Sequence, residues 1–210
     1  MAANFDFIKR LGSGHFGEVW LAFDTGLNVK RAVKLIPRSK VLDPDNFFHE
    51  AQILKAAEHP NVVRVEETGE MSDGRIYVAM EYLPKGSIED EAKGAYVDLT
   101  RAKRIMIDAL RGLEHAHSQG IVHRDIKPAN ILISHNSEGK LSDFGLAIPR
   151  GFDLKKLGTK DYAYILHIAP EVHQRKKYSI ASDIYACGAT LYRLVNGDRY
   201  LPSLSPAEVK

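Results

Sequence analysis

Within His123-Arg124-Asp125-Ile126-Lys127-Pro128-Ala129-Asn130, and again at Asp143-Phe144-Gly145, the chain gathers two acids, an amide and two cations. Phosphoryl transfer uses these residue types. The transferring group needs little covalent chemistry from the protein. Catalysis is mostly positioning of the attacking hydroxyl and neutralisation of charge by metal ions and cations. Asp125 can orient a hydroxyl, and Asn130 and Asp143 can hold metal.

A second cluster of chemistry-bearing residues lies toward the N-terminus. Gly12-Ser13-Gly14-His15-Phe16-Gly17-Glu18-Val19 reads G-x-G-x-x-G-x-V. A dinucleotide-binding loop of this spacing sits between a strand and a helix, with an acid about 20 residues on. Here Glu18-Val-Trp-Leu-Ala-Phe continues as a strand, so the loop is a hairpin. Glycines in a hairpin let backbone amides approach phosphate oxygens with no Cβ in the way. Lys34 follows on the next strand in Ala32-Val33-Lys34, and Glu50 lies nine positions ahead of His59-Pro60-Asn61.

Taken in order, these motifs resemble the eukaryotic-type protein kinase family: the glycine-rich hairpin, the strand lysine, H-R-D-x-x-x-x-N, D-F-G and Ala169-Pro170-Glu171. The resemblance covers about residues 5 to 200. It implies an ATP site in which Gly12, Gly14, Gly17 and the Lys34–Glu50 pair grip the phosphates. Met80 stands at the back of the pocket, Glu81 and Leu83 offer backbone groups to adenine, and Leu11, Val19, Ala32 and Leu132 sandwich the ring. It implies two Mg²⁺ ions on Asn130 and Asp143, with Mn²⁺ as a substitute. Lys127 in H-R-D-x-K points to serine and threonine acceptors and neutralises γ-phosphate charge. Thr159 bonds toward Asp125 and Lys127. Asp183, in Ser182-Asp183 with Gly188, bonds back to the catalytic-loop backbone, and Leu54, Val65, His123 and Phe144 form an apolar stack. Arg124 receives an acidic or phosphorylated group.

Each residue alone has a plainer reading. Lys34 could be a solvent-facing lysine, His123 a core histidine, Asp183 an acid near a helix N-terminus. The joint order of the motifs decides for the chemistry.

The elements that must carry these residues can be read from patterning. Phe5–Leu11, Gly17–Phe23 and Val29–Ile36 are short β-branched and aromatic runs. Asp43-Pro44 caps a helix through Phe47, Ala51 and Leu54. Two more strands follow at Val62–Glu67 and Arg75–Tyr82, with Asp73-Gly74 as the turn. Beyond Pro84-Lys85-Gly86 the pattern turns helical. Ile105, Ala109, Leu113 and Ala116 share one face from Thr100 to about His117, with Gly120 as terminator. Ser182 caps a last helix to Val195, apolar on nearly all sides and therefore expected to be buried. The expected fold is α+β and two-lobed: residues 1–83 as a five-stranded antiparallel N-lobe with one helix, residues 84–210 as a mainly helical C-lobe.

The 210 residues are 44% hydrophobic and 27% charged, ordinary for a globular chain, with a formal charge of +2 that argues for neither nucleic-acid nor membrane binding. A single cysteine, Cys187, excludes an internal disulfide and fits a reducing compartment, so the expected location is the cytoplasm. Two departures from the family pattern stand out. The stretch from Gly158-Thr159 to Ala169 is longer than usual, leaving either Tyr162 or Tyr164 as the family tyrosine, and Arg150, Lys155 and Lys156 could join Arg124 in binding a phosphorylated residue. The chain stops at Lys210, where kinases continue with further helices. The expectation is therefore an incomplete C-lobe that exposes apolar helix surface and is covered by a partner or a second copy. The leading reading is an ATP-dependent protein serine/threonine kinase. The alternatives are a nucleotide-binding scaffold without turnover and a small-molecule phosphotransferase of kinase-like fold.

Overall fold

The computed structural model describes residues 4–14, 17–41, 43–56, 58–144, 166–174 and 177–197. They fall into two compact units. The first comprises the described residues of Met1–His59 and Val63–Pro84. The second comprises those of Pro60–Val62, Lys85–Gly145 and Arg150–Lys210.

The first unit is built on β1 (Phe5–Gly14), β2 (Gly17–Asp24), β3 (Val29–Ile36), β4 (Val65–Glu70) and β5 (Ile76–Glu81). They form one antiparallel sheet in the order β1-β2-β3-β5-β4. Burial of Ala22, Val33, Leu35, Tyr77 and Ala79 gives the sheet its packed face, with Phe5, Trp20 and Met71 against it. Phe5 meets Tyr77 edge to face at 5.6 Å between ring centroids, a favourable quadrupole arrangement. The single long helix, α1 (Pro44–Ala56), starts where the Asp43 carboxylate accepts from the Asn46 amide at 3.1 Å. Its buried residues Phe47, Glu50, Ala51 and Leu54 recur at helical spacing.

One strand boundary differs from the sequence expectation. β4 begins at Val65, not Val62. Val62 is buried, but it bridges Leu141 in the second unit, where the Asn61 side-chain amide also donates to the Gly139 carbonyl at 2.9 Å. A short apolar run signals burial without saying which backbone it pairs with.

The second unit contains α2 (Ile88–Ala92), α3 (Leu99–Ser118), the hairpin β6 (Ile131–Ile133) and β7 (Gly139–Leu141), α4 (Pro170–His173) and α5 (Ile180–Asn196). α2 and the small hairpin were not foreseen. α2 is too short for periodicity, and its signal is the Ser87/Asp90 capping box. α3 starts at Asp98, whose carboxylate accepts from the Thr100 and Arg101 amides, and buries Ala102, Ile105, Met106, Ala109, Leu113 and Ala116. The cap of α5 lies three residues before the expected one. Ser179 is the cap, and its amide donates to the Ser182 hydroxyl oxygen at 2.8 Å. The helix is also two-faced rather than wholly buried. Asp183, Ala186, Cys187, Thr190 and Leu194 are inside, while Ile180, Ile184, Tyr185 and Tyr192 lie exposed. Among the described residues no helix is long and apolar enough to cross a membrane.

Candidate active site

In the first unit the glycine-rich hairpin is the turn of β1 into β2, with Gly12 opposite Val19 and Gly14 opposite Gly17. His15 and Phe16 lie outside the described residues. Gly17 cannot carry a side chain. Its φ is +147°, and a Cβ there would collide with the Leu35 carbonyl of β3. This close approach presses the hairpin onto the strand that carries the lysine. Lys34 sits at mid-strand on β3, half-buried, between Val19 of β2 and Val78 of β5. Ala32 pairs with Met80 and is buried beside it, and Leu83 is buried just beyond β5. Leu11 is exposed, while Val19 and Glu81 are intermediate. Glu50 is buried on α1 and accepts from the Asn46 side-chain amide at 3.0 Å. A cluster not anticipated from the motifs supports the hairpin. Glu18 accepts from the Trp20 indole and the Arg10 guanidinium, each at 3.2 Å, and these two bonds hold its carboxyl below the usual carboxylate range.

The second unit holds the H-R-D segment between α3 and a 3₁₀ turn at Pro128–Asn130. The Asp125 carboxylate receives the Lys127 ammonium on both oxygens at 3.0 Å. The Asn130 side-chain amide donates to its Oδ2 at 2.8 Å and to the Asp125 carbonyl at 2.7 Å. Two partners on one carboxylate fix its rotamer and aim. Because Asn130 Nδ2 makes both bonds, its Oδ1 is left as a free oxygen ligand. Asp143, two residues past the end of the β6–β7 pairing at Leu141, adopts φ +56°, and Ser142 between them donates its amide to the Asn130 carbonyl at 2.9 Å. Leu132, on β6, is half-buried and bridges Ser87.

Two groups brace this loop from beneath. Asp183, 1% exposed at the start of α5, accepts from the backbone amides of His123 at 2.7 Å and Arg124 at 2.9 Å. Arg124 has φ +71°, a conformation costly for a side-chain-bearing residue, and the bond from its amide to Asp183 helps hold it there. The His117 imidazole lies 2.9 Å from Asp183 Oδ2. No motif pointed to His117; its only sequence signal is a histidine in the last turn of α3, where it suits the helix dipole.

His123 is completely buried and stacks on Phe144 at 4.3 Å between centroids. Its Nδ1 accepts from the Asp125 amide at 3.3 Å, and its Nε2 lies 3.0 Å from the Ser142 carbonyl, which can only accept. The two bonds assign the neutral Nε2–H tautomer. Burial agrees, pushing the His123 pKa down. Leu54 and Val65 of the expected stack belong to the first unit. Thr159, Arg150, Lys155, Lys156, Tyr162 and Tyr164 lie outside the described residues.

A protein kinase domain model matches residues 5–209. The serine/threonine-protein kinase PknJ of Mycobacterium tuberculosis is 34% identical over 198 residues, covering 90% of this chain and 33% of that protein. The serine/threonine-protein kinase TOS3 of Saccharomyces cerevisiae is 32% identical over 230 residues, covering 92% and 40%. CBL-interacting protein kinase 1 of Oryza sativa is 34% identical over 201 residues, covering 92% and 43%. The chain thus spans less than half the length of these relatives. Among solved structures, Rad53 1-466 in complex with AMP-PNP matches with a TM-score of 0.81 and 28% identity, over 98% of this chain and 52% of that one.

Proposed function

We propose, from the premise that this chain belongs to the protein kinase domain family, that it transfers the γ-phosphate of ATP to serine and threonine hydroxyls of protein substrates. The observation that carries the reading is the Asp125 carboxylate, fixed by Lys127 and Asn130 in the second unit. A carboxylate held in one orientation can accept a hydrogen bond from an incoming hydroxyl and take its proton as the new P–O bond forms. Lys127, already at that carboxylate, is placed to offset charge on the phosphoryl oxygens. Lys34 and the Gly12–Gly17 hairpin of the first unit supply a cation and backbone amides for phosphate oxygens. The serine/threonine kinases among the relatives, and the ATP analogue named for the Rad53 structure, support this assignment.

The donor set suits Mg²⁺. Asn130 Oδ1 and the Asp143 carboxylate are hard oxygen ligands, and among the described residues no cluster of three or more His, Cys, Asp or Glu could hold a metal unaided. Two protein oxygens, completed by phosphate and water, is how Mg²⁺ is usually held. Bound there, the ion would neutralise phosphate charge.

The test offers labelled ATP with matched peptides that differ only in a Ser, Thr or Tyr acceptor. Label on Ser and Thr peptides, lost in Lys34→Met, is the expected result. ATP binding without transfer to any peptide, or transfer to Tyr alone, would overturn the assignment.

A further inference from the structure

At the tip of the β6–β7 hairpin, Ser137 sits between two cations that no step described so far uses. The Lys85 ammonium donates to the Ser137 hydroxyl oxygen at 3.0 Å and to the His135 carbonyl at 2.8 Å. The Arg101 guanidinium donates through Nη1 to the Ser137 carbonyl at 2.6 Å, while its Nε and Nη2 hold the Glu91 carboxylate at 3.1 and 2.9 Å. Lys85 lies just ahead of α2, Arg101 in the first turn of α3, and Ser137 between β6 and β7, so three segments of the second unit meet at this serine.

The two cations are not equally matched with acids. Arg101 has a carboxylate in Glu91, whereas both oxygens that Lys85 reaches are neutral. Glu138, the next residue in the turn, has its carboxylate 3.5 Å from the Ser134 hydroxyl, which donates to it. A cation bonded to neutral oxygens gains from an anion placed at the same spot, because charge-assisted hydrogen bonds are shorter and about twice as strong as neutral ones. A phosphoryl group on Ser137 brings nearly two negative charges to the side chain that Lys85 already touches. The position is also within reach of another protein. His135, Asn136 and Glu138 are exposed and Ser137 is half-buried, at a hairpin tip of the kind where the chain is most readily drawn into an enzyme's cleft.

We propose that Ser137 is a phosphorylation site whose phosphate is held by Lys85 and Arg101, and that a second copy of this chain installs it. The proposal rests on the kinase reading above and adds one substrate, the chain itself. The Ser137 hydroxyl oxygen bonds to the γ-phosphorus of ATP, the bond from that phosphorus to the β,γ-bridging oxygen breaks, ADP leaves, and the hydroxyl proton passes to Asp125 of the copy that catalyses the step. The reaction runs between molecules. The three residues of β6 carry the turn about 10 Å away from Asn130, which is bonded to Asp125, so Ser137 does not meet the Asp125 of its own chain. Once made, the phosphate ties the turn to Lys85. The Ile133 amide already donates to the Gly86 carbonyl at 2.9 Å, so the new bonds reinforce the attachment of β6, the strand that leaves the catalytic loop, to the segment ahead of α2.

An isotope-labelled Asp125→Asn copy of the full chain, incubated with the unmodified chain, ATP, Mg²⁺ and a serine peptide, tests the transfer. Mass spectrometry should find phosphate on Ser137 of the labelled copy as well as on the peptide. Transfer to the peptide with none on Ser137 overturns the site and leaves the kinase reading standing. Absence of transfer to either acceptor overturns the kinase reading, and self-modification with it. The cradle is tested without any activity, by building phosphoserine into position 137 during synthesis and following its titration by phosphorus NMR. Beside Lys85 and Arg101 the second phosphate proton should leave about one pH unit below its ordinary value of about 6, and Lys85→Met should bring the midpoint back toward that value. A midpoint at the ordinary value in both proteins overturns the assignment of Lys85 and Arg101 as the groups that hold the phosphate.

Discussion

Replacing Asp183 by Ala removes the side chain that receives the backbone amides of both His123 and Arg124, at 2.7 and 2.9 Å. With the carboxylate 1% exposed, water does not readily take its place. A buried donor left without a partner costs about 1–3 kcal/mol, so two amides cost roughly 2–6 kcal/mol. That is a large share of the ~5–15 kcal/mol that holds an ordinary domain together. With a urea slope of about 2 kcal/mol/M, the unfolding midpoint should drop by ~1–3 M. Far-UV circular dichroism is the suitable probe, because the long α3 and α5 helices lie in the affected unit while Trp20, the sole tryptophan, lies in the other. Asp183→Asn should fall between, since its one oxygen can serve only one of the two amide directions. The His123 and Arg124 amides should also lose hydrogen-exchange protection before the amides of α3 and α5. A midpoint within about 0.3 M of the unmodified chain, with both amides still protected, would refute the view that Asp183 holds this loop.

Two further outcomes follow from buried titratable groups. His123 is held neutral, its pKa pushed down by burial, whereas in the unfolded chain it binds a proton near pH 6.5. The unfolded state therefore carries more protons below that pH, and stability is fully present above it. As pH falls through 6.5 toward 5, His123 should account for a progressive loss of stability, and His123→Phe should flatten the slope of the urea midpoint against pH. Equal slopes would show that His123 does not remain neutral in the fold. Cys187 is buried, and burial first, with the Asp183 charge second, pushes its thiol pKa up to about 12. A maleimide at pH 7.5 should modify it only at the rate of local opening, and prompt labelling of the native chain would contradict its placement on the inner face of α5.

The catalytic segment was legible because its chemistry needs particular residue types at fixed spacing. His123, Asp125, Lys127 and Asn130 stand close in sequence, and local backbone brings Lys127 and Asn130 onto the Asp125 carboxylate. Longer-range partners were less legible. The Asp183 contact was foreseen through the family resemblance, whereas His117, which meets the same carboxylate, carries no local mark of a partner 66 residues away. The start of α5 was misread because either serine of Ser179-x-x-Ser182 satisfies the cap preference, and only the reciprocal bonds show which one is the cap. Its pattern alone implied burial all round, whereas Ile184 and Tyr192 lie exposed, in line with the apolar helix surface expected of an incomplete C-lobe. Hydrophobic identity marks what can be buried, not what is covered.

The most direct measurement is the initial rate of γ-phosphate transfer to a serine peptide by the unmodified chain and by Asp125→Asn, taken side by side. The carboxylate is fixed by Lys127 and Asn130, and the amide keeps its shape while losing its basicity. A drop of about 10²–10⁴-fold in rate, with the urea midpoint little changed, is the expected result. Equal rates from the two proteins would contradict the assignment of Asp125 as the group that receives the acceptor hydroxyl.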